Sequence, residues 1–207
     1  MPAVTLPKKK THTFGLESNG ILMTPQEFDR ADFDECWRYE LINGVLIVSP
    51  IPSEQEADPN EELGYLLRNY QNTHPEGKSL DCTLSERHVK AGKNRRRPDR
   101  VIWAGLGRLP RKGETPTIIV EFASEQKRDR ERDYETKRAE YQAIKVQEYW
   151  IIDRFTKTMT VHVLDKGKYR KKTIHSTQTY STPSLLPGFE LPLARLFELA
   201  DRWSDEE

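Results

Sequence analysis

At 207 residues the chain fits a single domain, and a hydrophobic share of 35%, with 4 Trp, 8 Tyr and 7 Phe, supplies a core and excludes disorder throughout. The formal net charge is zero, so total charge argues neither for nor against nucleic acid. No apolar run approaches the roughly 18 residues of a membrane span, and Cys36 and Cys82 are too far apart for a paired knuckle and follow no signal peptide, which points to a reduced, cytoplasmic interior.

Residues 1–20 lack a period and read as a flexible tail, with Lys8 to Lys10 a solvated run, ahead of a single domain over 21–203. Thr24, Pro25 and Glu27 predict the start of a short helix reaching about Ala31. Tyr39 to Ile42 and Val45 to Val48 are strand runs around Asn43-Gly44, a favoured two-residue hairpin turn. Pro50 to Asn60 reads as a polar loop. Glu61 to Gln71 then predicts a helix whose Leu63, Leu66, Leu67 and Tyr70 cover one sheet face. Ser79 to Val89 is strand-like, with Leu80, Cys82 and Leu84 on one face. Lys93 to Arg97 reads as a basic loop leading into a strand that starts at Pro98-Asp99, on which Asp99, Val101 and Trp103 share a face. Gly105 to Gly113 is a Gly/Pro/basic surface connection. Thr117 to Ala123 predicts a strand, the stretch around Tyr134 to Ile144 a helix, and Glu148 to Asp153 another strand. Thr158 to Val163 and Tyr169 to Ile174 bracket a hairpin turn, Leu185 to Leu199 closes the domain with a short helix, and residues after Trp203 read as frayed. Charge is segregated along this order. Acids dominate Glu17 to Leu63 against Arg30 and Arg38, while Lys and Arg dominate Glu86 to Thr115.

Two residues break their local patterns. Glu121 interrupts an apolar strand and shares a face with Ile119 and Ala123. A carboxylate there is costly to bury without a cation or donor. It marks either an edge strand with Glu121 in solvent or a compensated site. In the following helix, at about 100° per residue, Lys137 falls in one stripe with Tyr134, Tyr141 and Ile144, the face that packs on the sheet. It either snorkels to water or reaches the pocket that holds Glu121.

Asp99, Glu121 and Lys137 resemble the catalytic set of the PD-(D/E)xK nuclease superfamily, in which two acids on successive strands bind a divalent metal and a Lys acts on the attacking water. The superfamily's usual Lys position, two residues after the second acid, is Ala123 here, so Lys137 looks like a version of that Lys supplied from the helix. The order of PD, IVEFAS, RDYETKRAEY and EYWIID, with ELINGVLIVSP before it and LLPGFELPLARLFE after it, resembles the Uma-type family of restriction-endonuclease-like proteins, long listed as a domain of unknown function. The resemblance runs from about Met23 to Glu198. It implies an α/β, restriction-endonuclease-like mixed sheet flanked by helices. Many family members carry a His ahead of the second helix; acids stand there in this chain, so no His is carried over.

The function implied is metal-dependent endonucleolytic hydrolysis of nucleic acid, DNA ahead of RNA. Asp99 and Glu121 would hold Mg²⁺ or Mn²⁺, which takes oxygen ligands. Lys137 would act on the water, with Glu40 and Tyr141 as additional candidates. Glu40 reads equally as an exposed strand residue and Tyr141 as core. Arg95, Arg96, Arg97, Arg108, Arg111 and Lys112 either contact the phosphate backbone or form solvated basic loops. A second copy of the chain is a candidate partner. Two alternatives stand beside the nuclease: a catalytically silent binding module on the same scaffold, and an unrelated α/β domain with a structural acidic strand.

Overall fold

The computed structural model describes residues 13–124, 130 and 132–203. Residues 1–12 and those after Trp203 lie outside these, so part of the predicted tail and all of the predicted frayed end fall there. Residues 13–20 pack onto the domain. β1 (Thr13–Phe14) pairs with β2 (Asp32–Phe33), and the Asn19 side chain accepts from the Val48 backbone at 2.9 Å. The flexible-tail reading is corrected over those residues.

Helix α1 (Pro25–Phe28) is short and carries the full capping box between Thr24 and Glu27. β3 (Arg38–Ile42) and β4 (Val45–Ser49) form the predicted hairpin, with Asn43 and Gly44 both at positive φ, 52° and 79°. Helix α2 (Glu54–Thr73) begins well before the predicted helix, which corrects the Pro50–Asn60 loop. Ser53 and Glu56 form a second capping box that satisfies the first turn, and Pro59 is accommodated within the early part of the helix.

β5 (Leu80–Ser85) carries a bulge: Leu80 pairs with Ala104 and Cys82 with Trp103, leaving Asp81 as the extra residue. Leu80 and Cys82 therefore enter opposite core clusters, and Leu84 is partly exposed; their shared face is corrected. The predicted basic loop is a second hairpin, β6 (Val89–Ala91) with β7 (Asn94–Arg96), turning at Gly92 and Lys93. β8 (Arg100–Ala104) and β9 (Ile118–Phe122) are antiparallel. A π-helical turn, Arg132–Lys137, runs into α3 (Arg138–Ala143). β10 (Glu148–Asp153), β11 (Thr158–Asp165), β12 (Lys168–His175), the β13–β14 pair (Thr179–Ser181 with Glu190–Pro192) and α4 (Leu193–Asp201) complete the chain.

The main sheet has the order β12-β11-β10-β9-β8-β5, with β9 and β10 parallel and the other pairs antiparallel. Strand alternation splits the core. Ile118, Val120 and Phe122 face α2 and α4, while Ile119 and Ala123 face Tyr141 on α3. Each such fully buried aliphatic side chain contributes about 1.5–3 kcal/mol. A four-stranded antiparallel sheet, β4-β3-β7-β6, has its own core around Tyr39, Leu41 and Leu46. β9 lies between β8 and β10, so Glu121 is on an interior strand and is 2% exposed; the edge-strand alternative does not hold.

Candidate active site

Glu121 sits at the end of β9 on the face shared with Ile119 and Ala123, where α3 packs. Lys137, at the last position of the π-helical turn, is 3% exposed and places Nζ 2.8 Å from Glu121 Oε1 and 2.9 Å from Asp133 Oδ1. Tyr141, one turn on, donates from its hydroxyl to the same Oε1 at 3.1 Å and is fully buried in the core. The Lys137 ammonium and the Tyr141 hydroxyl both fall on Oε1, the first as an ion pair and the second as a hydrogen bond. π-helical turns often mark functional sites. Here the turn carries Asp133 and Lys137 together, and the Tyr149 hydroxyl fixes it by donating to the Asp133 carbonyl at 3.0 Å.

Asp99 stands immediately before β8. Its Oδ2 accepts from the Phe122 backbone N–H at 2.7 Å, which ties it to the residue after Glu121, and its Oδ1 accepts from Arg38 at 3.0 Å. Asn60 on α2 donates to the Asp99 carbonyl at 2.9 Å and accepts from Arg100 at 2.8 Å. Gly64 leaves room for that guanidinium, since a Cβ there would lie 2.6 Å from Arg100 Nη2. Glu40 on β3 is buried, accepting from the Arg97 backbone N–H at 2.9 Å and pairing with Arg96 at 3.5 Å. The alternative of an exposed Glu40 is thereby excluded.

These groups line one polar cavity of about 40 Å³, with Glu40, Glu56, Asp99, Glu121 and Asp133 facing Arg38, Arg97, Arg132 and Lys137. Their titrations reflect that crowding. Burial pushes the Glu121 carboxyl up to about 8, over the opposing charge of Lys137, and Asp99, Asp133 and Glu40 add to the rise. Burial likewise raises Glu56 to about 7, with Asp99 adding to it. Burial works against Glu40 as well, but Lys137 and Arg96 outweigh it and hold its carboxyl at about 2. Burial opposes the Lys137 ammonium too, yet Asp133, Glu121 and Glu40 keep it above its ordinary value, so it stays charged.

The sequence-predicted acids, Lys137 and Tyr141 thus converge, and of the six basic candidates Arg97 alone lines the cavity. Arg95 is buried and forks onto Asp29 at 2.7 and 3.0 Å; Arg96 is wholly buried and forks onto Glu140 at 2.7 Å through two nitrogens. Neither is a free loop cation, because β7 is an interior strand of the small sheet and Glu140 on α3 reaches Arg96. Arg108, Arg111 and Lys112 follow the far end of β8, whose five residues carry the chain about 16 Å from Asp99. They do not flank the site, and Arg108 is paired with Glu114 at 2.7 Å.

Sequence reasoning missed Asp133, Arg38, Glu56 and Asn60. Asp133 had a signal, since four residues before Lys137 is the same helix face. Arg38 had one as well, sharing Glu40's strand face at i−2. Asn60 and Glu56 lay inside the segment misread as loop.

Oxygen donors of this kind suit a hard divalent cation. Among the described residues no three His, Cys, Asp or Glu side chains are placed to share one ion. A Mg²⁺ ion held here by two carboxylates alone would need water and substrate oxygens to complete its shell. Arg38 would have to release Asp99 Oδ1.

No helix among the described residues is long and apolar enough to cross a membrane. The fold is similar to that of a crystal structure titled as "a putative nuclease belonging to DUF820 from Anabaena variabilis ATCC 29413", with a TM-score of 0.65 and 19% identity, covering 86% of this chain and 99% of that one. No curated protein matches the chain. Residues 25–194 match the Uma2 family, described as "Putative restriction endonuclease", and the chain belongs to that family.

Proposed function

We propose that this chain is a metal-dependent endonuclease that hydrolyses phosphodiester bonds, with DNA as its substrate and Mg²⁺ or Mn²⁺ held by Asp99 and Glu121. The observation that carries the reading is the 2.8 Å contact between Lys137 Nζ and Glu121 Oε1, made from a helix where the strand offers only Ala123. When bound, the ion would polarise the phosphoryl group and acidify a water. The chain's own residues prepare that water's place. Lys137 stays charged and offers its ammonium beside Glu121, to orient the water or offset charge on the phosphate. Tyr141 fixes the carboxylate that Lys137 addresses, and Asp133 holds the ammonium from the other side. Glu40 supports the assembly through the Arg97 backbone rather than as an exposed acid.

The test is Mn²⁺ binding by calorimetry. Asp99→Asn and Glu121→Gln should each weaken it by at least about tenfold, the lower bound for disturbing a metal's surroundings. Undiminished affinity in both variants would remove the metal site. A second reading, a silent binding module, is favoured by one observation: the Lys137 ammonium, although it lines the cavity, is already paired with two acids. Metal binding without turnover would select it.

A further inference from the structure

Three consecutive arginines, Arg95 to Arg97, differ sharply in what surrounds them. The first two fork onto single carboxylates, Asp29 and Glu140. Arg97 has no such fork. Its Nε is buried and lies 2.9 Å from Glu86 Oε2, yet it makes no aligned hydrogen bond among the described residues; Nη1 makes only a long contact, 3.4 Å, to the Trp37 carbonyl. Glu86 is shared. Its other oxygen lies 3.1 Å from Arg38 Nη2, again without an aligned hydrogen bond. Both guanidiniums line the cavity that holds Asp99, Glu121 and Lys137. Glu86 itself has φ of 53°, an uncommon backbone for a residue with a side chain, and its N–H donates to the Asp99 carbonyl at 3.1 Å. One acid is thus held in the left-handed region between two cations beside the acids of the site: Arg97, which is under-bonded, and Arg38, which already donates to the Arg97 carbonyl at 2.6 Å and to Asp99 Oδ1 at 3.0 Å.

We propose that Arg38 and Arg97 form a subsite for one phosphate of a polynucleotide, and that Glu86 is the internal anion this phosphate displaces. A phosphate oxyanion presents the bidentate geometry that a guanidinium fork matches and a poorly aligned Glu86 does not. The subsite rests on the nuclease reading of the same cavity, because it would hold the substrate phosphate next to Asp99.

Binding of a fluorescein-labelled DNA duplex, followed by anisotropy in EDTA over a range of KCl, separates the two ideas. Arg97→Ala should bind about tenfold more weakly at low salt, with a logarithmic salt slope shallower by about 1. Arg97→Lys should recover the slope but not the full affinity, since the charge returns without the fork. Glu86→Gln should bind more tightly than wild type, because the competing anion is gone. Arg97→Ala binding like wild type at every salt, Glu86→Gln weakening binding, or wild type failing to bind would each overturn the subsite. A wild type that cleaves while Arg97→Ala binds normally loses the subsite and keeps the nuclease. A wild type that shows the predicted binding pattern and cleaves nothing keeps the subsite and loses the nuclease.

Discussion

Lys137 carries two kinds of consequence, chemical and structural, because its ammonium is the cation for both Glu121 and Asp133. Lys137→Ala leaves two buried acids without it, and breaking a buried pair costs about 3–5 kcal/mol. The loss should be largest near pH 9, above the Glu121 value of about 8, and shrink toward pH 5, where Glu121 binds a proton in the folded state and no longer needs a partner. Denaturant titrations at both pH values read this directly; an equal loss at both would assign Lys137 to packing. At this scale much of the site was legible. Helical phase put Lys137 on the buried face, and strand parity put Glu121 with Ala123. Arg38 and Asp133 were equally in phase with chosen residues, but a charged residue carries no apolar neighbours that mark it as inward. Their roles follow from pairing across elements, which sequence spacing does not reveal.

Elements whose signal is local were read well, and those that depend on a distant partner were not. The Asn43-Gly44 hairpin, the α2 stripe and β8 to β11 follow from turn chemistry and periodicity. The bulge at Asp81 does not, since it exists to pair β5 with β8; Asp81 then accepts from the Leu106 and Arg108 backbone at 2.7 and 3.2 Å. The β6–β7 hairpin was hidden because its residues are charged, and three successive buried polar residues look like loop. α3 covers two of them: Asn94 and Arg96 both reach Glu140, and Arg96 also reaches Glu40, so the small sheet is fastened to the helix that carries Lys137, while Arg95 turns to Asp29. Glu140→Ala should therefore destabilise by about 3–5 kcal/mol by leaving Arg96 buried with only the longer Glu40 contact. The double variant Arg96→Met, Glu140→Leu should cost less than the sum of the single changes. Additive losses in a double-mutant cycle would show that the pair does not couple the two elements.

Over the whole molecule, the acidic first third and the basic middle read as separate patches in sequence, and the fold brings them together. Arg95 and Lys90 meet Asp29, Arg96 meets Glu40, and Arg38 crosses the other way to Asp99. The charge asymmetry is largely internal, so Arg95 and Arg96, two of the candidates for phosphate contact, are paired with Asp29 and Glu140. A different group adds to the loss of stability in acid. His162 is 5% exposed on β11, stacked against Tyr149, and its Nε2 has no hydrogen-bond partner among the described residues. Burial, with Arg138 and Lys171 nearby, lowers it from 6.5 to about 4. The unfolded chain binds this proton first, so the contribution is present above pH 6.5 and is lost as pH falls through about 4. Thermal melts at pH 7 and pH 4.5 should show a larger drop for wild type than for His162→Phe; parallel drops would exclude His162 as the cause.

The central claim is that Asp99, Glu121 and Lys137 form one metal-dependent hydrolytic site. Plasmid nicking by wild type and by Lys137→Met, assayed at a temperature where circular dichroism shows both folded, tests it most directly. Wild type should cleave with Mg²⁺ or Mn²⁺ and not in EDTA, and the variant should be slower by about 10²–10⁴-fold, the range for losing a positioned proton-transfer group. Cleavage by wild type that persists in EDTA, or a folded Lys137→Met variant that nicks at the wild-type rate, would contradict it.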